Sequence, residues 1–137
     1  MVTITARYDG DLRCTATHGP SRSTLGTDAP TDNLGKGELF SPTDLVATAL
    51  ATCAMTTMAI VARREQLPFE AASATVEKHM VADPTRRIGR LPLTIVIPGK
   101  PTDVQRKKLE AAARACPVHK SLSPDVDAPM TFEYPDL

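Results

Sequence analysis

Phe40-Ser41-Pro42-Thr43-Asp44-Leu45-Val46-Ala47-Thr48-Ala49-Leu50-Ala51-Thr52-Cys53 is the stretch whose reading decides the fold. Ser41 is a good N-cap, Pro42 fits the first helical position, and Asp44 stands where the acid of a capping box belongs. The run that follows carries no charge from Leu45 to Ala62, and Arg63, Arg64 and Glu65 close it. Its length raises the possibility of a membrane span. Four threonines (Thr48, Thr52, Thr56, Thr57) and the alanines between them dilute the run, which is better read as a buried helix ending near Glu65, before Pro68. Residues 45–62 are apolar or small on every side, so every side needs cover. One sheet and one short helix can hardly surround such a helix, and a homodimer with substantial burial between subunits is expected.

Upstream, Val2 to Tyr8 alternates with period two and Asp9-Gly10 is a hairpin signal. The returning strand, Asp11 to Thr17, places Leu12, Cys14 and Ala16 on one face. His18-Gly19-Pro20-Ser21 turns the chain again, and Ser23 to Thr27 is a third strand. Pro30, Asn33, Gly35 and Gly37 mark Asp28 to Phe40 as loop. Downstream, Ala71 to Ala82 alternates as a strand. Ile88 to Ile97 returns with Leu91, Leu93, Ile95 and Ile97 in register, and Pro92 implies an edge or a bulge. Thr102 and Gln105 form a second capping-box pattern, opening a helix to about Ala115 with an inward stripe of Val104, Leu109, Ala112, Ala113 and Cys116. Pro117 breaks it, a short helical stretch runs from Val118 to Leu122, and Met130 to Tyr134 is the last strand. The order β-β-β-α-β-β-α-(α)-β is α+β, read as one domain over residues 1–137, with no sign of a doubly wound parallel sheet.

Sixteen basic and sixteen acidic residues cancel. No basic excess points to nucleic acid or an anionic membrane surface, and the absence of Trp removes a stacking platform for single strands. The N-terminus lacks the pattern of a signal peptide, and a cytoplasmic protein is expected. His18, His79 and His119 are isolated and no CxxC or HxxxH spacing occurs, so no metal site is expected.

Three cysteines, Cys14, Cys53 and Cys116, are too few and too scattered for a disulfide scaffold. Cys53 lies mid-helix, about 18 Å from the N-cap by helical rise, beyond the useful range of the helix dipole. A thiolate there needs a nearby cation or hydrogen-bond donors. Otherwise it is a small buried residue. Cys116, at a helix end beside Pro117 with His119 and Lys120 following, suits a thiol that must shift slightly to make and break a bond, or a helix-end core residue. Cys14 reads as packing.

Phe40 to Cys53 resembles the central-helix signature of the OsmC/Ohr family, and Ala115-Cys116-Pro117-Val118 resembles its second-cysteine motif. His18-Gly19-Pro20-Ser21, Thr27-Asp28-Ala29-Pro30, Asp32-Asn33 and Gly35 are similar to a subgroup of OsmC-like proteins. The resemblance implies an OsmC-like fold, with the long helix packed on antiparallel sheet, and an intertwined homodimer whose active sites lie at the subunit interface. It implies reduction of organic hydroperoxides, and less readily hydrogen peroxide, without metal or prosthetic group. Cys53 would be the attacking thiolate, Cys116 the resolving thiol, and an external dithiol the reductant. Two positions depart from the family pattern. The Glu that usually follows the helix-start Pro is Thr43 here, and Asp44, nine residues before Cys53, faces away on a straight helix. The arginine that should favour the thiolate is best matched by Arg22, two residues past the aligned position, with Arg13 or the donor His18 as alternatives. The departure at Thr43 keeps open a non-enzymatic OsmC-like protein that binds a small apolar ligand or senses oxidation, and inert buried thiols are a third possibility.

Overall fold

The structure, a computed structural model, describes all residues from Met1 to Leu137. The chain comprises two compact units, Met1–Val46 and Ala47–Leu137. The first holds an antiparallel sheet of β1 (Ile4–Gly10), β2 (Arg13–His18) and β3 (Thr24–Thr27), in that order. The hairpin turns at Asp11-Leu12, not at the expected Asp9-Gly10. Asp11 and Leu12 both take positive φ, 54° and 62°, as a two-residue hairpin of this hand requires. Asp9 is kept in the strand because its carboxylate is used there, accepting from Arg7 Nε at 2.7 Å and Thr15 Oγ1 at 2.5 Å. The register shift between Tyr8 and Gly10 absorbs the extra residue. A single 3-10 turn, Thr31–Asn33, interrupts the loop that leads to the long helix.

That helix, α1, runs Pro42–Arg64. Its start is a reciprocal cap: Ser41 N–H donates to Asp44 Oδ2 at 2.8 Å, and Asp44 N–H donates to Ser41 Oγ at 3.1 Å. By length and composition α1 could cross a membrane. Ala47, Leu50, Ala51, Ala54, Met58 and Ala62 nevertheless form one buried side in the core of the second unit. Thr52, Thr56 and Ile60, four apart, are exposed on another side.

The second unit pairs β4 (Ser73–Val76), β7 (Leu93–Val96) and β8 (Met130–Glu133) in one sheet, and β5 (His79–Val81) with β6 (Arg87–Arg90) in a hairpin. Each of the two long strands expected here is therefore broken in two. Pro92, which has no amide to give a ladder, sits at the second break, and its carbonyl accepts from Glu77 N–H at 3.1 Å. Leu91, Leu93, Ile95 and Ile97 are all buried, as their alternation predicts. β7 is antiparallel to β4 but parallel to β8, and α2 (Asp103–Arg114) and α3 (Pro117–Ser121) make the crossover between the parallel pair. The fold is thus α+β with one parallel pair.

The capping box at Thr102 and Gln105 forms in full. Val104 does not join the inward stripe and is 63% exposed. It precedes Leu109 by five residues, about 140° around the helix from it, whereas Ala113 follows Leu109 by four and returns to the same face. Leu109, Ala113 and Cys116 are buried.

Candidate functional site

Cys53 and Cys116 both belong to the second unit, and the fold brings their side chains into interaction. Cys53 is half-buried on α1, while Cys116 is wholly buried at the junction of α2 and α3. Both are free thiols. The junction is built by Pro117, which takes the first position of α3 and leaves Cys116 as its N-cap in an extended conformation. The Cys116 sulfur then fills the role usually given to a Ser or Asp oxygen, accepting the His119 amide at 3.4 Å.

Several influences compete at this sulfur. Burial pushes the Cys116 thiol up, and the His119 and Val118 amides oppose it. The hydrogen bond and the charge interaction with Cys53 push it up further. The net direction is upward, so Cys116 keeps its proton. The arrangement sets a half-buried thiol beside a buried one whose protonated form is favoured.

One further side chain ties the backbone of Cys53 to the last turn of α2 and went unread in the sequence. The Thr57 hydroxyl lies 3.1 Å from Cys53 O, 2.9 Å from Ala54 O and 3.2 Å from Ala112 O on α2. The threonines of α1 register in the sequence only as diluting its hydrophobicity, and nothing local separates Thr57 from Thr56.

The remaining candidates take other places. Asp44 is the helix cap, and Thr43 Oγ1 lies 3.1 Å from Ser41 Oγ. Arg13, His18, Arg22 and Cys14 belong to the first unit. Arg13 bridges two carboxylates, Asp28 at 3.3 Å and Glu38 at 3.0 Å. Burial works to raise the Asp28 pKa, but the Glu38 amide and the Arg13 guanidinium outweigh it and hold the carboxyl below its usual range. His18 is engaged within its own turn: its Nδ1 accepts the Ser21 amide at 3.3 Å and stands 2.6 Å from Ser21 Oγ. Arg22 is exposed in the same turn at φ 62°, its amide donating to His18 O at 2.8 Å.

Residues 35–129 match the family model for OsmC-like protein. Among solved structures, a Psychrobacter arcticus protein described as a candidate osmotic stress induced and detoxification response protein is 42% identical, with 96% of each chain covered and a TM-score of 0.90. An organic hydroperoxide resistance protein OsmC from Legionella pneumophila is 19% identical, covering 97% of this chain and 96% of its own, with a TM-score of 0.78. An organic hydroperoxide resistance protein from Elizabethkingia anophelis is 14% identical, covering 98% and 96%, also at 0.78. At such identities the last two speak to fold alone. No protein of curated function matches the chain.

Proposed function

The chain belongs to the OsmC-like family, and on that premise we propose that it is a thiol-dependent hydroperoxide reductase in which Cys53 attacks and Cys116 resolves. The observation that carries the proposal is the interacting thiol pair, one sulfur half-buried and the other buried with its pKa raised. The Cys53 thiolate attacks the O–O bond of the hydroperoxide, taking the distal oxygen as a sulfenic acid, and the alkoxide leaves with a proton as the alcohol. The Cys116 sulfur then attacks the Cys53 sulfur, forming the disulfide, and its proton leaves with the hydroxyl as water. An external dithiol reduces the disulfide and is itself oxidised. The chemistry asks for no metal or prosthetic group. Arg22 is the cation proposed to favour the thiolate. It lies exposed in the turn between β2 and β3 and pairs with no carboxylate, whereas the charge of Arg13 is committed to Asp28 and Glu38.

Homodimerisation and a cytoplasmic location complete the proposal. The exposed Thr52, Thr56 and Ile60 on α1 support a second copy as cover for a helix side that is uncharged. A ligand-binding protein is the second reading, favoured by Thr43 in place of the family's usual Glu. An apolar cleft of about 170 Å³, lined by residues such as Leu67, Phe69, Ile97 and Leu109, gives it a physical site without either cysteine.

Steady-state turnover of an alkyl hydroperoxide with a dithiol reductant separates the readings. Cys53→Ser is expected to abolish turnover, and Cys116→Ser to leave a sulfenic acid that overoxidises. Wild-type rates no faster than those of Cys53→Ser would end the enzyme proposal.

A further inference from the structure

The hydroxyls of Thr52, Thr56 and Thr57 turn back onto α1, and that of Thr57 also reaches another element. Thr52 Oγ1 donates to Thr48 O at 2.8 Å and Thr56 Oγ1 to Thr52 O at 2.8 Å, both at the surface. Such back-bonds are ordinary for helical threonine and fix nothing beyond the helix. Thr57, half-buried, meets Ala112 O of α2 at 3.2 Å as well as its own helix carbonyls.

Ala112 is the residue whose carbonyl a continuing helix would give to the amide of Cys116. Here the Cys116 amide donates to Ala113 O instead, at 3.2 Å, because the chain tightens as α2 ends before Pro117. Thr57 supplies a hydroxyl donor to the carbonyl so released. The same hydroxyl lies 3.1 Å from the carbonyl of Cys53, one turn away on α1. One oxygen therefore stands between the backbone of the first cysteine and the turn that presents the second.

We propose that Thr57 is a positioning residue for the thiol pair: its hydroxyl fixes α1 against the last turn of α2 and so holds the Cys53 and Cys116 sulfurs within bonding reach. This rests on the thiol-pair reading above but concerns the geometry of disulfide closure, not the identity of the oxidant. Closing the bond takes two electrons and two protons from the two thiols and delivers them to an oxidised dithiol, which becomes the reduced dithiol. The closure equilibrium measures how well the sulfurs are presented to each other. A side-chain methyl in place of the hydroxyl keeps the volume and withdraws the donor.

The experiment equilibrates the full chain with mixtures of oxidised and reduced dithiothreitol, without peroxide, and quantifies the Cys53–Cys116 disulfide by mass spectrometry. Thermal midpoints are recorded alongside. Thr57→Val is expected to lower the closure constant about tenfold, equivalent to about 30 mV for a two-electron couple. Thr57→Ser is expected to restore it to within about twofold of wild type. A Thr57→Val protein with a lowered thermal midpoint but an unchanged closure constant overturns the assignment, since Thr57 would then be only structural. A Thr57→Ser protein that loses closure does the same, even if the valine variant fails to fold, because the methyl and not the hydroxyl would matter. Wild-type protein that forms no disulfide sinks both readings. Wild-type protein that closes the bond but consumes no hydroperoxide sinks the reductase and leaves Thr57 in its role.

Discussion

Alkylation should distinguish the two thiols sharply in the native protein, with Cys116 far slower than its intrinsic chemistry allows. Its side chain is wholly buried and its sulfur holds the His119 amide at 3.4 Å, so a reagent can reach it only after local opening. Exposing a side chain somewhat smaller than valine costs about 1–1.5 kcal/mol. Breaking the amide-to-sulfur bond adds about 1 kcal/mol. The sum, about 2–2.5 kcal/mol, corresponds to a slowing of roughly 30- to 60-fold relative to the unfolded chain. The raised pKa adds to this, because a thiol a unit below its pKa is only about one-tenth ionised and only the thiolate reacts. Half-buried Cys53 should slow by no more than a few-fold on folding. The assay is iodoacetamide labelling of folded and urea-unfolded protein at one pH, read peptide by peptide. Replacing Cys53 with Ala removes two of the influences that raise the Cys116 pKa, so the pH at which Cys116 begins to label should move down. Equal labelling of Cys116 in folded and unfolded protein would refute both its burial and its assignment as the protonated partner.

Two other perturbations test residues outside the thiol pair. Asp44→Asn should leave hydroperoxide turnover within about twofold, because Asp44 acts as a cap, while Ser41→Ala should cost about 1 kcal/mol in urea denaturation. A tenfold loss of turnover in Asp44→Asn would make that carboxylate catalytic after all. Asp28, whose folded pKa is depressed, contributes stability that is fully present above the ordinary carboxylate pKa of about 4 and is lost as pH falls through the folded value. The stability gap between wild type and Asp28→Asn should accordingly narrow below about pH 4 in acid titrations followed by circular dichroism, and a gap that stays constant would show that the Arg13 pair does not depend on ionised Asp28.

The parts of the fold that were legible are those governed by local chemistry. Ser41, Pro42 and Asp44 announce α1, and Thr102 with Gln105 announce α2, because a cap satisfies amides within four residues of itself. The alternation of Leu91, Leu93, Ile95 and Ile97 likewise reports its own burial. What was misread depends on partners distant in sequence. The β1–β2 turn falls two residues late because the Asp9 carboxylate is claimed by Thr15 across the hairpin. Ile88 to Ile97 splits because β6 pairs with β5 while β7 pairs with β4 and β8, and Pro92 marks the division without saying which neighbour each half takes.

The candidate site divides along the same line. Pro117 makes Cys116 a helix-end residue in any sequence reading, and its burial follows from sharing a face with Leu109 and Ala113. That it meets Cys53 is a property of how α1 lies on α2, and no periodicity on either helix contains it. The dipole of α1 is too far from Cys53 to act on it, so the influences on the thiol pair come from across the two helices. On Cys116 they act together: burial and the contact with Cys53 both favour its protonated thiol. In the proposed reductase, a resolving thiol that were itself ionised would repel an ionised partner. The burial that makes Cys116 a poor nucleophile in isolation suits the resolving role proposed for it, beside a more accessible sulfur. In that proposed role it surrenders its proton only after Cys53 has become electrophilic.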